Sequence, residues 1–297
     1  MEVTMKLNSS ISMLCSLALA AGLGGGCTLM RKGAARIISP MASQLSEGLM
    51  HQDDVELVRD GAPAFLLVLD ALAEGHPDNP TVLLAAAEAQ LAYATGFVDK
   101  TNRERTKKMY AKAKGYGLRA LAHRHKQFAA ALDGPAAGFA ESLCGFRKQD
   151  ARTLITTATA WVMWIIANAD SPAALGDMPK VLAMMECVRT LEPDIRQGGV
   201  DLFYGIYYTV LPLGGGRDLD KARAHFERSM EVGGANYLLN QVTFAEFYAR
   251  YAFDRDLFES TLTTVVNATP DVPEYTLMNA VAQMRARTLL DEIDEFF

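Results

Sequence analysis

Cys27 carries the most specific chemistry in the sequence. It ends the run Gly24-Gly25-Gly26-Cys27, which closes an apolar stretch from Ile11 to Leu23. A thiol after small residues at the end of such a stretch is the pattern of a bacterial lipobox, whose Cys is diacylated and becomes the first mature residue. Gly24 stands where the usual pattern has Leu, with Leu23 one place early. Ordinary signal-peptidase cleavage and an uncleaved anchor are the alternatives. The thirteen apolar residues fit a signal-peptide core and are too few to span a bilayer. Two acyl chains bury enough methylenes for stable attachment. Thr28 rather than Asp comes after the Cys, which leans toward the outer membrane. Residues 1–26 therefore read as a signal peptide, 27–50 as a tether and 51–297 as one folded domain.

Beyond Cys27, no catalytic constellation emerges. The five His are His51, His76, His123, His125 and His225, and neither HExxH nor CxxC occurs. His123 and His125 stand two apart, and on a helix such residues point away from each other, so no metal site is expected. Gly214-Gly215-Gly216 leads into Arg217-Asp218 rather than Lys-Ser/Thr and reads as a flexible connection, not a phosphate loop. No Ser sits in a G-x-S-x-G elbow. The adjacent acids Asp53-Asp54 and Asp291-Glu292 fit helix-end dipole complements or solvated faces. No catalytic residue and no cofactor is expected. Cys144 and Cys187 read either as a disulfide in an oxidising compartment or as two packed thiols.

Aromatic residues form stripes. Phe244, Phe247, Tyr248 and Tyr251 are spaced i, i+3, i+4, i+7; Tyr204, Tyr207 and Tyr208 nearly do the same; Trp161 and Trp164 stand three apart. Core packing is the first reading. The second is a cleft for a partner segment or an apolar ligand, because Tyr and Trp combine an apolar ring with a polar tip. Residues 99–126 hold ten Lys and Arg against two acids and read as a solvated helix face, with an acidic partner or anionic membrane surface as the alternative. The net charge of −6 and the export segment both argue against nucleic acid.

The elements that position these residues are helices. The chain is 50% hydrophobic and 22% charged over 297 residues, enough apolar material for a substantial core and too little charge for disorder. From residue 52 onward apolar residues recur at three and four, which predicts helix after helix and no strand. Breakers separate them: Asp60-Gly61, His76 to Pro80, Asp133-Gly134-Pro135, Ser171-Pro172, Glu192-Pro193-Asp194, Gly214 to Gly216 and Thr269-Pro270-Asp271. One spacing recurs. Phe65, Leu69, Leu72 and Pro77 stand four, three and five apart, as do Val181, Met185, Val188 and Pro193, and Phe258, Leu262, Val265 and Pro270. Ala222, Phe226, Ser229 and Gly234 repeat it with Gly for Pro. These match the second-helix positions of a tetratricopeptide repeat, and the last three instances lie 41 and 36 residues apart against a period of about 34. The expected fold is all-α, a right-handed superhelical stack of tetratricopeptide-like helix pairs (an α-solenoid) with a concave surface.

Several segments resemble the TatT family of T-components, the periplasmic lipoproteins associated with tripartite ATP-independent periplasmic (TRAP) transporters. They are Leu57 to Leu67, Pro77 to Pro80, Tyr116 to Leu121, Trp161 to Ile165, Asp218 to Glu227 and Asn279 to Phe297. The resemblance implies a helical, tetratricopeptide-containing, lipid-anchored periplasmic protein that forms trimers around a pore. It further implies contact with the transporter's solute-binding protein and handling of a small hydrophobic or organic-acid ligand. It implies no catalytic residues. The sequence thus points to a non-enzymatic adaptor. The alternatives are an envelope scaffold that binds peptide segments without a ligand, and an all-helical hydrolase, which would need a buried acid–base pair.

Overall fold

The computed structural model describes residues 48–98 and 102–297. The expected signal peptide, Cys27 and most of the expected tether lie outside the described residues, as do the first three positions of the basic stretch. The described residues all fall in one compact unit, and among them there are helices and no strand.

The helices are α1 (Val55–Gly75), α2 (Pro80–Gly96), α3 (Arg103–Arg124), α4 (Lys126–Ala131) and α5 (Ala136–Ser142). Two 3-10 turns precede α6 (Ala151–Ala167), α7 (Pro172–Leu175), α8 (Met178–Leu191), α9 (Ile195–Val210) and α10 (Leu219–Gly233). The chain ends with α11 (Leu238–Thr243), a π-helical segment (Phe244–Ala249), α12 (Arg255–Asn267), α13 (Thr276–Asp291) and α14 (Ile293–Phe296).

Short polar side chains start most of the long helices. Asp54, Asn79, Asn102, Asp218 and Asp254 each accept a hydrogen bond from a backbone N–H of the first turn. Each such cap is worth about 1 kcal/mol. One expected breaker is overridden: α1 runs straight through Asp60-Gly61 and contains Pro63. A proline inside a helix leaves the carbonyl four residues earlier without its donor. That carbonyl is Arg59 O, and the hydroxyl of Tyr93 on α2 donates to it at 3.2 Å. The tertiary contact supplies the bond that Pro63 removes.

The helices pack mainly on sequence neighbours: α1 on α2, α2 along α3, α9 along α10, α12 on α13. Longer-range packing sets α3 and α8 against α6. In three of the four recurring quartets the three residues on the helix are fully buried, while the breaker that follows them is not. Val181, Met185 and Val188, then Ala222, Phe226 and Ser229, then Phe258, Leu262 and Val265 all have 0% exposure. The first instance is displaced. On α1 the buried stripe is Val58, Leu66, Leu69 and Ala73, while Phe65 and Leu72 are half-buried. The last long helix also returns to the first: α13 touches α1, and Arg59 Nη2 donates to Met284 Sδ at 3.2 Å.

A polar knot ties α1, α2 and α3. Asp70 accepts from Gln90 Nε2 and from the Tyr116 hydroxyl, both at 2.9 Å, and from Lys112 Nζ at 2.5 Å. Burial pushes the Asp70 carboxyl up, but the bonds from Lys112, Tyr116 and Gln90 outweigh it and hold the carboxyl below its ordinary value. A carboxylate depressed in the folded state stabilises above its unfolded value, near pH 4, and that stability is lost as pH falls through the folded value. Asp70→Asn is therefore expected to lower the melting temperature at pH 7. The deficit should shrink as the pH is taken from 5 down to 2, measured by thermal melts across that range.

Elsewhere on α3 the basic stretch is neutralised piecemeal. Lys107 pairs with Glu104, Arg119 with Glu74, and Arg124 with Asp150. This matches a solvated helix face better than one continuous basic patch.

Candidate functional site

The aromatic candidates fall into two neighbourhoods. Trp161 on α6 is buried, its indole N–H donating to Asp177 Oδ2 at 2.9 Å, and its ring meets Phe139 edge-on. Trp164, one turn on, is half-buried. Between them lies the Lys114 ammonium, 4.5 Å from the Trp161 ring, 3.8 Å from the Trp164 ring and 3.5 Å from Asp177 Oδ2. Burial pulls the Lys114 ammonium below the usual lysine value, with Asp177 working against that shift. These contacts give Lys114 two π-faces and a carboxylate in place of water.

The second neighbourhood is on α9, α10 and the π segment. Tyr204, Tyr207 and Tyr208 are half-buried along α9. The imidazole of His225 stacks on Tyr204 at 5.3 Å and on Tyr208 at 5.7 Å, and its Nδ1 lies 2.7 Å from Asp201 Oδ1. Burial pushes the Tyr204 hydroxyl up to about 12, so it acts as a neutral hydrogen-bonding group. Phe244 and Tyr248 are buried and stacked 5.0 Å apart against Phe226. Phe247 is half-buried, whereas Tyr251 is 41% exposed beneath the Arg217 guanidinium. The π turn between Phe244 and Ala249 explains the split, because its wider turn rotates Tyr251 away from an α-helical stripe.

Cys144 is exposed, Cys187 is half-buried, and neither is in a disulfide. Burial raises the Cys187 thiol to about 11, leaving it a packed, unreactive group. Among the described residues no cluster of His, Cys, Asp and Glu could hold a metal ion, and no helix is long and apolar enough to cross a membrane.

One constellation was missed from the sequence. It lies where α2, α6 and the start of α9 converge. Glu88 accepts two bonds from Arg152, at 2.8 and 2.7 Å, in the fork geometry of a guanidinium on a carboxylate. Arg196 donates to the same carboxylate and, at 3.0 Å, to the Thr156 hydroxyl. Arg196 reaches Glu88 from an unusual backbone. Arg196, Gln197 and Gly198 are left-handed in succession, with φ of 52°, 54° and 78°. For non-glycine residues this is costly and persists only when the surroundings impose it.

The surroundings do impose it. A Cβ on Gly198 would lie 2.9 Å from the Ser229 backbone, so only glycine allows the approach to α10. The buried Asn240 side chain donates to Gln197 O at 2.8 Å and to Ser229 O at 2.9 Å, holding the segment in place. Gln197 in turn donates to the Tyr275 hydroxyl at 3.2 Å, and Tyr275 meets Tyr237 edge-on at 5.1 Å. The signal in the sequence is Gly198-Gly199 soon after the helix stop at Glu192-Pro193-Asp194.

Residues 51–297 match the TRAP transporter T-component family. The chain belongs to that family. It is also 22% identical to an uncharacterized protein of Treponema pallidum (strain Nichols) over 317 aligned residues, covering 97% of this chain and 98% of the relative. A T-component is part of a TRAP transport system. The family match spans the helical unit from before α1 to the C-terminus, so both aromatic neighbourhoods and the Glu88 cluster belong to the matched region.

Proposed function

We propose that this T-component is a non-enzymatic periplasmic adaptor, lipid-anchored through Cys27, most consistently at the outer membrane. It docks the solute-binding protein of a TRAP transporter and passes a small hydrophobic or organic-acid ligand through a cleft or pore. The family match over residues 51–297 is the observation that carries the reading. The fully buried helical triplets of three recurring quartets support stacking as tetratricopeptide-like pairs in a right-handed superhelix, an arrangement whose concave face suits a partner surface. The half-buried Trp164, Tyr204, Tyr207, Tyr208 and Phe247 and the exposed Tyr251 supply amphipathic contact area, while Trp161, Phe244 and Tyr248 hold it from the core. A trimer is the assembly expected from the family resemblance.

Native mass spectrometry of the protein extracted gently from membranes tests this. The expected result is a complex with an extracytoplasmic solute-binding protein and a co-purifying apolar small molecule. Repeated recovery of protein partners with no small molecule would favour the peptide-binding scaffold instead. Recovery of cytoplasmic partners alone would refute both.

A further inference from the structure

We infer that Arg152 and Arg196, held together on Glu88 at the junction of α2, α6 and α9, form a binding site for a single carboxylate attached to an apolar or aromatic body. The inference rests on the ligand-handling part of the proposed function and names the residues that would grip the ligand's charged end.

The charge balance comes first. Two guanidiniums share one carboxylate, and among the described residues neither has a second carboxylate within ion-pair distance, so the cluster carries one uncompensated positive charge. It is poised rather than sealed. Glu88 is 20% exposed, whereas the side chains of Arg152 and Arg196 are 63% and 44% exposed. Each guanidinium has five N–H donors; Arg152 engages Nε and Nη2, and Arg196 engages Nη2. The two Nη1 groups keep donors free, and two such donors match the two oxygens of a carboxylate.

Preorganisation comes second. Glu88 fixes Arg152, and the left-handed turn at Arg196 and Gln197 delivers the second guanidinium to the same point. A surface ion pair needs neither the strained turn nor the Asn240 clamp behind it. Both exist at a cost that a defined position for Arg196 accounts for.

The flanks set the body of the ligand. Gln197, next to Arg196, bonds the half-buried Tyr275, whose ring packs on the buried Tyr237, so Tyr275 offers an aromatic surface one side-chain contact from the residue after Arg196. Burial raises the Tyr237 hydroxyl to about 12, although Arg196 pulls it down, which keeps a neutral phenol near the guanidinium and adds no competing anion.

Isothermal titration of the full-length protein with 4-phenylbutanoate, 4-phenyl-1-butanol and inorganic phosphate tests this. The carboxylate should bind with an affinity that falls as salt is raised. The alcohol and phosphate should bind at least about tenfold more weakly, the order expected for losing a charge-assisted hydrogen bond. Arg152→Gln should weaken carboxylate binding by about tenfold or more. Glu88→Gln should strengthen it, because the amide oxygen still accepts from a guanidinium and keeps the pair in place while the competing internal charge is removed. Opposite signs from the two variants are the signature, since a purely structural ion pair would make both variants equally inert toward ligand. Thermal melts confirm that each variant is folded, and Arg196→Lys serves as the second basic variant where Arg152→Gln is not.

Equal binding of acid and alcohol, a preference for phosphate, or weakening by Glu88→Gln would overturn the inference. Capture of a solute-binding protein without any carboxylate preference would overturn this site alone and leave the adaptor role standing.

Discussion

Phe226→Ala is expected to destabilise the protein by about 3–5 kcal/mol, the usual cost of emptying a buried phenylalanine site. Phe226 is among the largest fully buried side chains, and its surroundings have little freedom to collapse. On one side its ring lies against the backbone of Gly205 on α9, so close that a Cβ there would sit 2.9 Å from ring carbons. On the other side are Phe244 at 5.7 Å and Tyr248 at 6.5 Å between ring centres, themselves stacked on the π segment. Truncation would open a cavity joining α9, α10 and the π segment at once. For a unit of this size each kcal/mol moves the melting temperature by about 2–4 °C, so a fall of roughly 10 °C is expected. Phe226→Leu should cost much less. Urea titration checks this, and a stability for Phe226→Ala within about 1 kcal/mol of the parent would show that the ring does not hold these elements together.

Gly117→Ala is expected to destabilise despite improving helix propensity. In an exposed helix the exchange would gain about 1 kcal/mol. Here a Cβ would lie 2.2 Å from Thr157 Oγ1, 3.0 Å from its Cβ and 3.1 Å from its Cγ2. Thr157 is fully buried on α6, and its hydroxyl already donates to Thr153 O at 2.6 Å, so it has no room to turn aside. Forcing α3 from α6 costs about 1–3 kcal/mol or more, as overpacking generally does. A net loss of about 2 kcal/mol is expected. Thr157→Ala removes the nearest contact atom, so the double variant should be more stable than the sum of the single effects predicts, by about 1 kcal/mol. Additive single effects in denaturant melts would contradict a direct clash.

The fold was legible where a rule depends on local spacing. The quartets of α8, α10 and α12 mark buried stripes because helices with neighbours on both sides bury the same face repeatedly. The quartet of α1 is out of register by about one residue, because this helix meets α2 on one side and α13 by its Arg59 turn, a contact no local pattern encodes. Asp60-Gly61 and Pro63 look like a stop, yet Tyr93 on the next helix satisfies the freed carbonyl.

The aromatic residues were legible as a set and not as a surface. The π turn at Phe244–Ala249 changes the rotation per residue, separating Tyr251 from Phe244 and Tyr248. The Glu88 cluster was missed for a different reason, with Gly198-Gly199 its one hint. Glu88, Arg152 and Arg196 come from three distant segments, and the backbone that joins them is left-handed at Arg196 and Gln197, two residue types that carry no sequence signal for that conformation. Lys114 belongs to a stretch that reads as solvated, although its ammonium lies between two indoles; the facing tryptophans are more than forty residues away in the chain.

The proposed role of this T-component is to hold a transporter's solute-binding protein outside the cytoplasm. In-cell crosslinking, purification of the protein from membranes and mass-spectrometric identification of the adducts is the decisive measurement. Adducts between the helical unit and an extracytoplasmic solute-binding protein are the predicted result. Adducts formed exclusively with cytoplasmic proteins would contradict it.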